Sequence, residues 1–314
     1  MCILFLTRSH PDYELILISN RDEFLQRKTA FSCWNERSNC EVLCPYDLSR
    51  NETDPSKFGT WCGINEFGRV SSVLNLKMDE NKVEDKNVRK KSRGYLPVKF
   101  LDNRKENSFN DWNSYSKFLK QYPDLEKTGS FNLFIGDVKK QEYALIDSFG
   151  QTKRILDGKD ENGKSSVVIS NSEFISNDKE RWHKISNGEK LMDEFLSKDI
   201  RDENSVIESC FKIASTSELT NEYLHSHDDI LDLMTETVFV PPIKLENPVE
   251  KDNIGASLPV GKFYGTRSQI VILVNKERTT VRYMERVLYE CDDDVSKAGI
   301  EKPINELNFE YNIL

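Results

Sequence analysis

The chain has 314 residues, 37% of them hydrophobic, and 44 basic against 53 acidic side chains give a net charge of −9. That balance argues against nucleic acid as a partner, because such binding rests on neutralising phosphates, and the basic run Arg89-Lys90-Lys91 is too short to change it. No apolar run approaches the ~20 residues that span a bilayer, and Thr7-Arg8-Ser9-His10 breaks the first apolar stretch, so neither a transmembrane segment nor a signal peptide is expected.

Cys2 directly follows the initiator methionine. Trimming Met1 would place a thiol and a free α-amine on one residue. The thiolate is the reactive form of cysteine, and an α-amine titrates near about 7.7–8.0, so such a residue can be nucleophile and base together. Acetylation would destroy the amine base. The plain alternative is a small residue at an unremarked position, and Cys2 alone favours it.

Apolar runs at 3–6 and 15–18 flank the turn formers Arg8-Ser9-His10-Pro11-Asp12 and predict a hairpin of two buried strands. The second strand runs into Asn20-Arg21-Asp22-Glu23, which is costly to bury unless solvated or paired. Antiparallel pairing brings this tetrapeptide level with the chain start, so Arg21 and Asp22 are expected close to Cys2. A guanidinium there favours the thiolate, and a carboxylate can orient the ammonium or the arginine. A charged turn closing a strand explains the tetrapeptide equally well.

There are seven cysteines, an odd number, and without a secretion signal they are expected to be reduced. Cys33, Cys40, Cys44 and Cys62 lack the close pairs of structural zinc modules, which leaves zinc as the minor reading. His225-Ser226-His227, followed by Asp228-Asp229, reads as solvated loop rather than a metal site.

Residues 60–64 and 69–76 predict a second hairpin through Asn65-Glu66-Phe67-Gly68, and 131–137, 142–148 and 167–170 predict further strands. Helical spacing of apolar residues marks 115–121, 188–196 and 205–214. Residues 157–164 read as an exposed hairpin tip, and 238–248, with Pro241, Pro242 and Pro248, as irregular loop. Residues 269–275 and 279–288 predict a late hairpin through Lys276-Glu277-Arg278. The pattern is α+β, in a single domain over 1–314. Trp61, Trp182 and Phe131 read as core. Asn171, after the apolar Val167-Val168-Ile169-Ser170, can donate to an oxyanion or simply start a turn. Arg267, in Gly265-Thr266-Arg267, can hold a carboxylate or phosphate, or make a surface salt bridge.

Met1-Cys2 with Asn20-Arg21-Asp22-Glu23 resembles the NRDE family, also called the transport-and-Golgi-organisation protein 2 family. The resemblance continues in order through Gly59-Thr60-Trp61 with Gly63-Ile64, Asn75, Arg93-Gly94, Phe131-Asn132-Leu133, Ser170-Asn171, Trp182, Gly265-Thr266-Arg267 and Glu285-Arg286. It departs at Leu74 and Leu76, where the family often has a polar and an aromatic residue, and at 79–91 and 218–252, which look like insertions against it. The family is similar to the N-terminal-nucleophile (Ntn) hydrolases of the cholylglycine-hydrolase and penicillin-acylase branch. The resemblance therefore implies a four-layer αββα sandwich of two mainly antiparallel sheets covered by helices. It implies Cys2, Arg21, Asp22, Asn75, Asn171 and Arg267 as catalytic positions, although the branch spaces its Arg further before the Asp than Arg21-Asp22 does.

Two function classes follow from the resemblance. One is an intracellular trafficking or homeostasis protein linked to secretory-pathway and Golgi organisation. It would handle a small hydrophobic anion such as haem, lipid or acyl-CoA, with Asn20, Arg21 and Arg267 as ligand-binding residues. The other is a cysteine amidohydrolase cleaving a linear amide or thioester through Cys2. Neither needs a metal or resident cofactor, and haem enters as cargo. The expected location is cytoplasmic, with mitochondrial or Golgi association. A scaffold for protein partners is the third reading of the same charges.

Overall fold

The computed structural model describes residues 2–48, 58–76, 92–102, 117, 128–149, 151–158, 165–174, 181–219, 234–245 and 261–314. Among the described residues, two seven-stranded antiparallel sheets form the centre. The first sheet runs β10 (Ser166–Ile169), β1 (Ile3–Thr7), β2 (Tyr13–Phe24), β12 (Phe263–Asn275), β13 (Thr280–Val287) and β14 (Asn305–Asn312), with β11 (Ile243–Lys244) on β12. The second sheet runs β3 (Thr29–Glu36), β4 (Glu41–Asp47), β5 (Cys62–Asn65), β6 (Arg69–Asn75), β7 (Phe131–Asp137), β8 (Glu142–Asp147) and β9 (Thr152–Arg154). Helix α1 (Tyr95–Leu101) covers the second sheet, and α2 (His183–Leu196) and α3 (Glu203–Ala214) cover the first.

Strand alternation assigns each side chain to a layer. Leu4, Leu6, Leu15 and Leu17 enter the core between the sheets with Ile64, Val70 and Phe134. Ile3, Phe5, Ile16 and Ile18 point the other way, against Ile185, Met192 and Phe211 of the helices. Val42, Cys44, Leu133 and Ile135 meet Leu96 and Phe100 of α1 on the far side. The order is α1, second sheet, first sheet, then α2 and α3: the αββα order.

The hairpin from β1 to β2 forms, with Ile3 opposite Asn20. The tetrapeptide Asn20-Arg21-Asp22-Glu23 does not cap β2 as a turn. It lies inside the strand, because β12 pairs along its whole length from Tyr13 to Phe24. The hairpin from β5 to β6 turns through Gly68, whose φ of 84° suits a residue without a Cβ. Arg267 lies within β12 rather than at its start. The 238–248 stretch contributes a two-residue strand, β11, instead of loop alone. Strands β3, β4, β9 and β14 carry no sequence expectation. All of helix 115–121 but residue 117, His225 and His227, and the insertion at 79–91 lie outside the described residues, as does most of 218–252 and of 157–164. Among the described residues no helix is long and apolar enough to cross a membrane.

Candidate functional site

Register brings three chain segments together at one end of the first sheet. Ile3 faces Asn20, so Cys2 stands level with Arg21. Leu4 faces Ile169, so Ser170 and Asn171 run alongside Ile3 and Cys2 on the other flank. The Ser170 hydroxyl donates to the Cys2 carbonyl at 2.8 Å and fixes this approach. Cys2 packs against the core between the sheets, the face that Arg21 also shares.

Burial pushes the Cys2 thiol above its ordinary range. The positive amino terminus opposes that shift, Asp22 adds to it, and Arg21 opposes it. The Sγ lies 4.0 Å from the Asp22 carbonyl oxygen. Cys2 is therefore held mainly as a thiol at neutral pH.

Arg21 stacks its guanidinium on Trp61, 4.4 Å from the ring centroid, and is 4% exposed. Its carboxylate neighbours are distant: Glu23 at 3.7 Å and Asp47 at 3.9 Å from Nη2. Arg27 takes both carboxylates more closely, at 3.0 Å and 2.6 Å. The Arg21 Nη1 is buried and has no hydrogen-bond partner among the described residues. Ser268, opposite Arg21 on β12, buries an Oγ without a partner as well.

Asn171 donates its Nδ2 to the Asn75 carbonyl at the end of β6, tying the two sheets together. A carbonyl can only accept, so this bond fixes the amide orientation and leaves the buried Oδ1 unpartnered. Asn132 on β7 does the same: its Nδ2 donates to the Ser170 and Ser172 carbonyls at 3.2 Å and 2.8 Å, and its Oδ1 is left over. Asn75 contributes its backbone; its side chain is exposed.

Asp22 and Asn20 point the opposite way, into the helix layer. Thr266 donates to Asp22 Oδ1 at 2.7 Å, and Lys184 of α2 reaches Oδ2 at 3.4 Å with both side chains fully buried. A Cβ at Gly188 would stand 2.7 Å from Phe5, so this glycine lets α2 press on β1 and seats Lys184, one turn earlier on the same face, over Asp22. Asn20 donates to the Ala214 and Val238 carbonyls at 2.7 Å and 3.1 Å. Thr266 and Lys184 engage the Asp22 carboxylate from the helix side, and Asn20 bonds the Ala214 and Val238 carbonyls on that same face.

Arg267 is the extra residue of a β-bulge, since Thr266 faces Asp22 and Ser268 faces Arg21. The bulge turns its guanidinium inward, onto the Leu25 carbonyl, the Thr29 hydroxyl and the Glu290 carbonyl. Burial and the nearby Arg21 charge lower its pKa to about 10. It clamps the start of β3 to the ends of β2 and β13. Lys184, Ser268 and Asn132 carried no sequence signal as site residues; each acts through a partner distant in the chain. Among the described residues no group of three or more His, Cys, Asp and Glu is placed to hold a metal.

Fold and site define a four-layer αββα protein with a cysteine and a buried arginine side by side between its sheets. The chain belongs to the Transport and Golgi organisation 2 family, whose model matches residues 1–290. It is 42% identical over 323 aligned positions, covering all of both chains, to the protein YGR127W of Saccharomyces cerevisiae. It is 30% identical to the Transport and Golgi organization protein 2 homolog of Bos taurus over 156 residues, 48% of this chain and 50% of that one. Solved structures similar to it include a Caenorhabditis elegans ortholog of N-acylethanolamine-hydrolyzing acid amidase, 14% identical with TM-score 0.46 over 70% of this chain and 88% of that one. A conjugated bile acid hydrolase of Clostridium perfringens is 11% identical with TM-score 0.36 over 99% and 97%.

Proposed function

We propose that this chain is an intracellular trafficking or homeostasis protein that holds a small hydrophobic anion between its sheets at Cys2 and Arg21. The unpartnered, buried Nη1 of Arg21 carries the proposal. An unsatisfied buried donor costs roughly 1–3 kcal/mol, more when charged, and an acid oxygen of a ligand would remove that cost. Haem, a lipid acid and an acyl-CoA all present such an oxygen beside apolar bulk, and for haem Cys2 would offer a sulfur donor once deprotonated. The proposed setting is the cytoplasm, with mitochondrial or Golgi association.

Two observations favour holding over cleaving. With Met1 still attached, burial raises the Cys2 thiol above its ordinary range, which disfavours an attacking thiolate. Asn171 aims its amide nitrogen at Asn75 and leaves an acceptor oxygen, which disfavours a neighbouring oxyanion. The test is titration with haemin and with palmitoyl-CoA of the wild type, Arg21→Gln and Cys2→Ala. Saturable binding weakened about tenfold or more by Arg21→Gln is expected, the scale of one charge-assisted hydrogen bond. Binding indifferent to Arg21, or Cys2-dependent turnover of acyl amides, would overturn the reading in favour of a scaffold or a cysteine amidohydrolase.

A further inference from the structure

The four cysteines between positions 33 and 62 do not converge. Cys62 enters the core between the sheets, Cys40 donates to the Leu101 carbonyl under α1, and Cys33 and Cys44 stand directly opposite each other on β3 and β4. Directly opposed residues of an antiparallel pair project to the same face with Cα atoms about 4.5–5.5 Å apart, inside the range a disulfide spans. Asn35 touches both sulfurs: the Cys33 Sγ donates to its Oδ1 at 3.5 Å, and its Nδ2 donates to the Cys44 Sγ at 3.7 Å. One carboxamide therefore lies against both thiols. Cys33 is exposed and Cys44 is buried, and both are free.

We propose that Cys33 and Cys44 form a cross-strand dithiol site for oxidation by a peroxide, closing to an intrachain disulfide that staples edge strand β3 to β4. Cys33 is the residue the oxidant meets. Its thiolate attacks one peroxide oxygen, the O–O bond breaks, and sulfenic acid and one water result. Cys44 then attacks the Cys33 sulfur, the S–O bond breaks, and a second water leaves with the thiol protons. The two sulfurs lose two electrons and the peroxide gains them. Burial pushes the Cys33 thiol up and the Cys44 thiol up to about 11, so closure speeds up as pH rises and is slow at neutral pH.

The staple falls on a strand that joins the two sheets. On β3, Thr29 receives Arg267, the Ser32 backbone amide donates to Glu285 at 2.8 Å, and Trp34 packs edge-on to Tyr311. The β3–β4 ladder shifts register between Ala30 and Cys33, so the disulfide would close where the ladder resumes.

The experiment treats the intact protein with hydrogen peroxide, blocks remaining thiols, and maps tryptic peptides without reduction. Cleavage after Arg37 separates Cys33 from Cys44, so closure joins peptide 29–37 to peptide 38–50. Because 38–50 also holds Cys40, the map is repeated on Cys40→Ser and Cys44→Ser. The expected result is a link that survives Cys40→Ser, disappears in Cys44→Ser, and accumulates about tenfold faster at pH 9 than at pH 8, following the thiolate fraction. A link that follows Cys40, or Cys33 oxidised without any partner while Cys44 stays free, would overturn the proposal.

Discussion

The end of β2 carries the same run of polar residues on two faces, and the two faces are treated differently. Toward the helices, both Asp22 oxygens are engaged, by Thr266 and by a fully buried Lys184, and the Asn20 nitrogen donates twice. Toward the second sheet, Arg21 Nη1, Ser268 Oγ, Asn171 Oδ1 and Asn132 Oδ1 are buried without partners among the described residues, on the face that the half-buried Cys2 shares. Even the exception fits the contrast: Asn20 Oδ1 also lacks a partner, but it is a neutral acceptor, whereas Arg21 leaves a charged donor unmet. Buried polar groups that are paired hold a fold; unpaired ones are strain that a ligand can relieve. The first face fastens the architecture, and the second leaves its polar atoms unpaired where the proposed ligand would sit.

The largest effect should come from the paired face. Lys184→Met leaves Asp22 buried without its ammonium and should cost about 3–5 kcal/mol in urea unfolding. Replacing both partners, Asp22→Leu with Lys184→Met, should recover more than half of that, because no charge is then stranded. A double variant as unstable as the single would show that the pair does more than neutralise itself.

On the open face the effects should appear in chemistry rather than stability. Alkylation of Cys2 by iodoacetamide, followed by mass, should be slower at pH 7 than for a free cysteine of pKa about 8.5. The sign follows from the raised pKa: less thiolate at neutral pH, and a rate still climbing above pH 9. A rate already flat at pH 7 would mean a thiolate and would revive nucleophilic catalysis. The smallest effect belongs to Ser268→Ala. Deleting a hydroxyl that has no partner should change stability by less than about 1 kcal/mol in either direction. A larger loss would place an unseen bond at that oxygen.

Much of this was legible in the sequence, and the rest failed for physical reasons. Runs 3–6 and 15–18 gave the first hairpin because buried central strands are nearly continuous apolar stretches. Cys2, Arg21 and Asn171 lie at one end of the first sheet, and Asn75 joins them only through its backbone carbonyl. The direction of Asp22 and Asn20 was not legible, since strand alternation fixes faces only once the layers are known. The inward turn of Arg267 depends on a bulge that no local signal marks. Strand β4 was hidden by Pro45, which reads against a ladder position; the ladder from β4 to β5 ends at Leu43, where the missing N–H no longer matters. Strand β14 was hidden by its polar half: Glu306 and Glu310 face Arg286 and Arg282 of β13 while Leu307, Phe309 and Tyr311 lie half-buried. Lys184 looks like an ordinary helix cation until Gly188 brings α2 down onto β1.

The most direct test of the contrast is urea unfolding of the wild type and Arg21→Gln, each alone and with palmitoyl-CoA or haemin at saturation. The account predicts that the two apo proteins differ by less than about 2 kcal/mol, because Arg21 gives up its stacking on Trp61 and two long ion pairs that Arg27 also serves. It also predicts that ligand at about a hundred times its Kd stabilises the wild type by about 2.7 kcal/mol and does markedly less for Arg21→Gln. Equal stabilisation of both proteins, or an apo loss in Arg21→Gln as large as that of Lys184→Met, would contradict it.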